Sequence, residues 1–92
     1  MSKLIRVERS IATYNIIDED IISDDNIDEI PLNKLLTIVT PKDDDPLLYD
    51  GYVLNENQLL EINSHLNNKL VFDFNAFYYV LECAGIYDYN IE

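Results

Sequence analysis

Apolar and polar positions alternate from residue 3 to 14. Ile5, Val7 and Ile11 fall on one face and Arg6, Glu8 and Ser10 on the other, the two-residue period of a strand. Ile17-Asp18-Glu19-Asp20 breaks that period and reads as a hairpin loop leading into a second strand from about Ile21. Pro31 suits the first turn of a helix, and Leu32, Leu35, Leu36 and Val39 then recur at helical spacing. A short helix ending near Thr40-Pro41 is the expectation. Pro41 and Pro46 bracket Lys42-Asp43-Asp44-Asp45 as a loop, because the residue before a proline is pushed out of helical geometry.

An Asp50-Gly51 turn signal precedes a brief extended piece, Tyr52-Val53-Leu54. Asn55 caps a second helix, and Gln58 three residues on completes a capping-box pattern. Leu59, Ile62 and Leu66 form its apolar stripe, which ends near Asn67-Asn68. Leu70 to Phe74 and Phe77 to Ala84 are rich in aromatic and aliphatic residues and read as two strands. In the last of these, Phe77, Tyr79, Leu81 and Cys83 share one face, and Tyr78, Val80 and Glu82 the other. The fold class that follows is α+β: a small antiparallel sheet with two short helices on one face. A length of 92 residues predicts a single domain over residues 1–92.

Charge changes the picture. The chain holds 18 Asp and Glu against 6 Lys and Arg, a formal net of −12, where a small domain needs a magnitude of only about 2–8 for solubility. The surplus is uneven: residues 1–17 net +2, residues 18–50 net −9 and residues 51–92 net −5. Ile17, Ile21, Ile22, Ile27 and Ile30 are interspersed with these acids. A solvated tail would lack such residues, so the acids are expected on a face of a folded domain. That face calls for a basic partner, either a cationic protein or a surface that normally holds nucleic acid. Direct binding to nucleic acid, or to an anionic membrane surface, is disfavoured by the same charge.

Reactive chemistry finds little footing. With Gly51 and Gly85 as the only glycines, a glycine-rich phosphate loop is excluded. A calcium loop begun at Asp18 has Ile22 at its fifth position, and one begun at Asp43 has Leu47 there, so both fail. Cys83 and His65 are the one conceivable thiol–imidazole pair; a small buried hydrophobe and a helix-end histidine are the expected roles. No enzyme activity, cofactor or metal is expected. The single cysteine suits a reducing compartment, and Met1 to Arg6 lack the apolar core of a secretory signal. A cytoplasmic protein, monomeric until it binds, is the expectation.

Phe72, Phe74, Phe77 and Tyr79 are candidate core residues, while Tyr49, Tyr52, Tyr87 and Tyr89 lie among acids or turn residues and should be partly exposed. Tyr49 and Tyr52 carry two competing readings: interface anchors projected from the Gly51 turn, or rings packed on the sheet.

Three segments carry a family resemblance: Asp45-Pro46-Leu47-Leu48-Tyr49-Asp50, Tyr52-Val53-Leu54-Asn55-Glu56-Asn57-Gln58, and Phe72-Asp73-Phe74-Asn75-Ala76-Phe77-Tyr78-Tyr79-Val80-Leu81-Glu82-Cys83. Together they resemble the small acidic immunity proteins of bacterial contact-dependent inhibition and polymorphic toxin systems. The resemblance spans about residues 45 to 83. It implies a protein that binds the toxin domain of its own cell's system, often a nuclease with a cationic cleft, and blocks it. Asp18, Glu19, Asp20, Asp24, Asp25, Asp43, Asp44, Asp45, Tyr49, Asp50 and Tyr52 are the candidate toxin-binding residues. A phage-encoded nucleic-acid mimic, whose carboxylates imitate phosphates, is the competing reading.

Overall fold

A computed structural model of the chain describes residues 3–88. Tyr89, expected to be partly exposed, lies outside them. Two long strands dominate, β1 (Lys3–Asn15) and β4 (Phe77–Asp88), paired antiparallel along nearly their whole length. β2 (Ile21–Asn26) folds back on β1, and β3 (Tyr52–Leu54) pairs with the far side of β4. The four-stranded sheet therefore runs β2-β1-β4-β3, all antiparallel. Helices α1 (Leu32–Leu35) and α2 (Glu56–Ser64) contribute to a core on one face of that sheet. This is the α+β fold expected from the residue pattern.

The alternation in β1 explains which face is covered. Ile11 of β1, Tyr79 and Leu81 of β4 and Leu54 of β3 meet Leu35 of α1 and Leu59 and Ile62 of α2 in one buried cluster, joined by Ile27, Ile30, Val39, Leu48 and Leu66. Asn55 caps α2 as its spacing predicts: its side chain accepts from the Gln58 N–H at 2.8 Å, and Gln58 Oε1 accepts from the Asn55 N–H at 2.9 Å. At the other end, the Lys69 ammonium donates to the carbonyls of Leu66, Asn63 and Ser64, which supplies the cation that a helix C-terminus favours.

Two expectations need correction. Leu70 to Phe74 is not a strand. Three of its backbone groups are taken by side chains: Asn63 accepts from the Leu70 N–H and donates to the Leu70 carbonyl, and the Tyr79 hydroxyl accepts from the Asp73 N–H. These bonds tie the segment to side chains of α2 and β4 rather than to the backbone of a neighbouring strand. Its aromatic residues still pack, with the Phe72 and Phe74 rings edge-on to Tyr79. The first helix is also shorter than its apolar spacing. Pro31 is its N-cap, and beyond Leu35 the chain continues in mixed turns, the Thr37 and Ile38 N–H groups donating three residues back and that of Val39 four, with Thr37 Oγ1 donating to the Lys34 carbonyl at 2.6 Å. Thr37, Ile38 and Val39 are β-branched, and such a run disfavours helix. Leu35 and Val39 are buried all the same.

Candidate functional site

The acids expected to form one binding face are divided among separate places. Asp18, Glu19 and Asp20 form the exposed turn between β1 and β2. Asn15 accepts from the Glu19 N–H and donates its own N–H to the Asp20 carbonyl, while Asp18 Oδ1 accepts from the Asp20 N–H. Glu19 adopts a left-handed φ of 60°, and all three acidic residues are exposed. Ile16, Ile17, Ile21 and Ile22 are exposed around them, Ile17 at 93%. Asp24 and Asp25 continue the acidic surface along β2, where all six residues are exposed.

The loop from 42 to 52 is built differently. Asp45 is buried, with 5% of its surface exposed. Its carboxylate accepts from the Tyr49 N–H at 2.8 Å, the Asp50 N–H at 2.9 Å and the Tyr52 hydroxyl at 2.7 Å. Burial acts to raise its pKa, but those donors, led by the Asp50 N–H, outweigh it and hold the carboxyl below its usual value. Asp45 is therefore a loop-organising residue, which corrects its expected place on the binding surface. Tyr52 shares that correction. Its hydroxyl also accepts from the Lys42 N–H at 3.0 Å, and its ring packs on the core beneath the Lys42 ammonium. The packed reading of Tyr52 is the one the geometry supports.

Leu48 shows what this organisation achieves. It is fully buried at a left-handed φ of 58°. That conformation costs a leucine roughly 1–2 kcal/mol, against about 1.5–3 kcal/mol gained by burying its side chain. Arg9 anchors the same loop from below. It is 8% exposed, donates through Nη2 to the Leu47 carbonyl at 2.7 Å, and lies 5.8 Å from the centre of the Tyr49 ring. Tyr49 is thus half-exposed over Arg9, while Asp43, Asp44 and Asp50 remain at the surface, Asp50 paired with Lys42 at 3.5 Å. From Arg9 to Asn15 the strand covers roughly 20 Å at about 3.3 Å per residue, so the loop and the hairpin turn are distinct surfaces.

The sequence pattern did not single out a third group. On the sheet face opposite the core, Tyr14 and Tyr78 stack with ring centres 5.2 Å apart, and the Tyr14 hydroxyl donates to Glu82 at 2.9 Å. That hydrogen bond, with burial and the nearby Asp24, raises the Tyr14 pKa; burial and then Glu19 raise that of Tyr78. Glu19, Asp24, Glu82 and the two rings therefore adjoin at the hairpin end of the open face. The signal available in the sequence was the phase of Tyr78, Val80 and Glu82, which sets them opposite Tyr79 and Leu81. Cys83 opposes Arg9 in the ladder and is half-buried, and burial raises its thiol pKa. His65 is the exposed C-cap of α2. Among the described residues no cluster of three or more potential metal ligands occurs, and no helix is long and apolar enough to cross a membrane.

Residues 8–82 match a family described as a domain of unknown function, DUF7683, and the chain belongs to that family. No curated protein and no solved structure matches it.

Proposed function

We propose that this member of the DUF7683 family is a binding protein that neutralises a cationic partner protein, in the manner of an immunity protein acting on the toxin domain of its own cell's system. One observation carries the reading. Among the described residues, the acids of the β1–β2 hairpin stand exposed and without cationic partners, beside exposed isoleucines. Among the described residues two ion pairs form, Arg6 with Glu8 and Lys42 with Asp50, and neither lies on the hairpin turn or β2. Folding leaves those carboxylates uncompensated, and self-repulsion makes that arrangement unfavourable unless a partner supplies the countercharge.

The division of labour follows from the chemistry. Exposed carboxylates raise the rate of encounter with a basic surface, and apolar side chains and rings beside them set how long the complex lasts. A nucleic-acid mimic would need the carboxylates alone; Ile17 at 93% exposure favours a protein partner that offers an apolar contact. The unpaired cysteine fits a reducing, cytoplasmic setting, and mutual repulsion keeps the free chain monomeric. The domain performs no chemistry of its own in this reading.

Co-expression with the toxin domain encoded by the adjacent gene tests the proposal. Restored growth and a one-to-one complex that weakens with salt are the expected results. Growth arrest that the chain does not relieve would overturn the immunity reading.

A further inference from the structure

We infer that β2 is a docking edge, and that the cationic partner binds by adding an extended strand to it; this rests on the acidic binding role proposed above. β2 is the longer of the sheet's two edge strands, six residues against three in β3, and carries neither the lysine nor the proline with which proteins commonly blunt an edge. The phase of its hydrogen bonds is set by the Ile27 N–H, which donates to the Arg9 carbonyl at 2.9 Å. Opposed pairs in an antiparallel ladder alternate between bonded and unbonded. The bonded pairs are then Asp25 with Ile11 and Ser23 with Thr13, whereas Asp24 and Asn26 turn their N–H and carbonyl groups away from β1. Those groups are the donors and acceptors that an added strand takes up.

Charge selects the occupant. Asp24 points to the open face and Asp25, opposite Ile11, to the core face, so both sides of the edge are acidic. A second copy of this chain would set like charges across from one another and is disfavoured; lysine or arginine at alternate positions of an incoming strand would share one face and pair with Asp24 on the open side. On the core-face side the edge adjoins a groove of about 360 Å³ lined by Ile22, Ser23, Asp25, Lys69, Val71 and Phe77, among others. Val71 is 98% exposed at its rim, so an apolar side chain from the added strand has a surface to cover.

The probe is a short peptide of alternating lysine and valine, titrated by NMR into the full chain at low and high salt. Three variants separate charge from strand pairing. Asp24→Asn removes the charge and keeps the N–H, with an expected loss of about threefold, the scale of an exposed charge pair. Asp24→Pro removes the same charge and the outward N–H, which β1 does not use, and should weaken binding at least about tenfold. A backbone N-methylated peptide should fail likewise against the parent chain, which keeps the test open if the proline variant misfolds. Slowed exchange of the Asp24 and Asn26 amides on peptide binding is the expected signature. Salt-dependent binding with no such protection, and with Asn and Pro variants equal, would overturn strand addition and leave the acidic binding role standing. No binding at low salt would overturn both, and a dimer of the free chain would reassign the edge to self-association.

Discussion

The loop from 42 to 52 and the hairpin from 15 to 26 come from the same acid-rich third of the chain, yet they use their carboxylates in opposite ways. In the loop, Asp45 turns inward onto two backbone N–H groups and a tyrosine hydroxyl. In the hairpin, Asp18, Glu19, Asp20, Asp24 and Asp25 stay at the surface. Composition alone makes the two regions equivalent. The difference lies in the donors within reach: Tyr52 and the 45–50 turn offer three to Asp45, while no ion pair forms on the hairpin turn or β2 among the described residues. An acid buried among three donors serves the fold, and an exposed one with no cation beside it is left for a partner.

The sharpest way to break that contrast is Asp45→Ala. It leaves the Tyr49 and Asp50 N–H groups and the Tyr52 hydroxyl without their acceptor, and buried donors left unmade are costly. Thermal unfolding should show a drop in Tm of at least about 5 °C; an unchanged Tm would return Asp45 to the surface acids. The complementary variant, Asp18→Asn with Glu19→Gln and Asp20→Asn, should leave Tm level or raise it as repulsion is relieved. Its association with a basic partner should slow about tenfold at low salt, because steering charges act mainly on encounter. Asp43→Asn with Asp44→Asn belongs with this second class, provided Asp45 is kept.

Smaller effects refine the same contrast. Tyr52→Phe removes one of the three donors to Asp45 and should lower Tm by less than Asp45→Ala, with dissociation from a partner unchanged. A dissociation rate raised without loss of Tm would restore Tyr52 as a contact residue. The pH dependence of stability is a further check. The Asp45 pKa is depressed in the folded chain relative to its ordinary value of 3.8. Its contribution to stability is therefore complete above about pH 4 and is lost as the pH falls through the lower folded value. The difference in Tm between the parent and Asp45→Asn should shrink on acidification below pH 4, and a constant difference would contradict the assigned role.

Much of this fold is legible in local pattern. The alternation from 3 to 14, the break at Ile17 to Asp20 and the Asn55–Gln58 pair each specify their element through interactions within a few residues. Leu70 to Phe74 is not legible in the same way, since Asn63 and Tyr79, not a partner strand, hold the backbone at Leu70 and Asp73. The site divides along the same line. Exposure of the turn acids follows from the hairpin itself. The inward turn of Asp45 uses donors only four to seven residues along the chain. The burial of Arg9 against Leu47 and the stacking of Tyr14 on Tyr78 depend on residues far apart in sequence, the second pair brought together by the long β1–β4 pairing.

Whether the hairpin acids act on a partner while Asp45 acts on the fold is decided by stopped-flow association with the proposed partner, a cationic toxin domain. The hairpin variant carrying all five changes, Asp18→Asn, Glu19→Gln, Asp20→Asn, Asp24→Asn and Asp25→Asn, is compared with the parent across an ionic-strength series. The parent should associate fast at low salt and slow steeply as the Debye length contracts from about 30 Å at 0.01 M toward about 8 Å at 0.15 M. The five-fold variant should be slow and nearly indifferent to salt with its Tm intact. A variant that associates at the parent rate with the parent salt dependence would contradict the account.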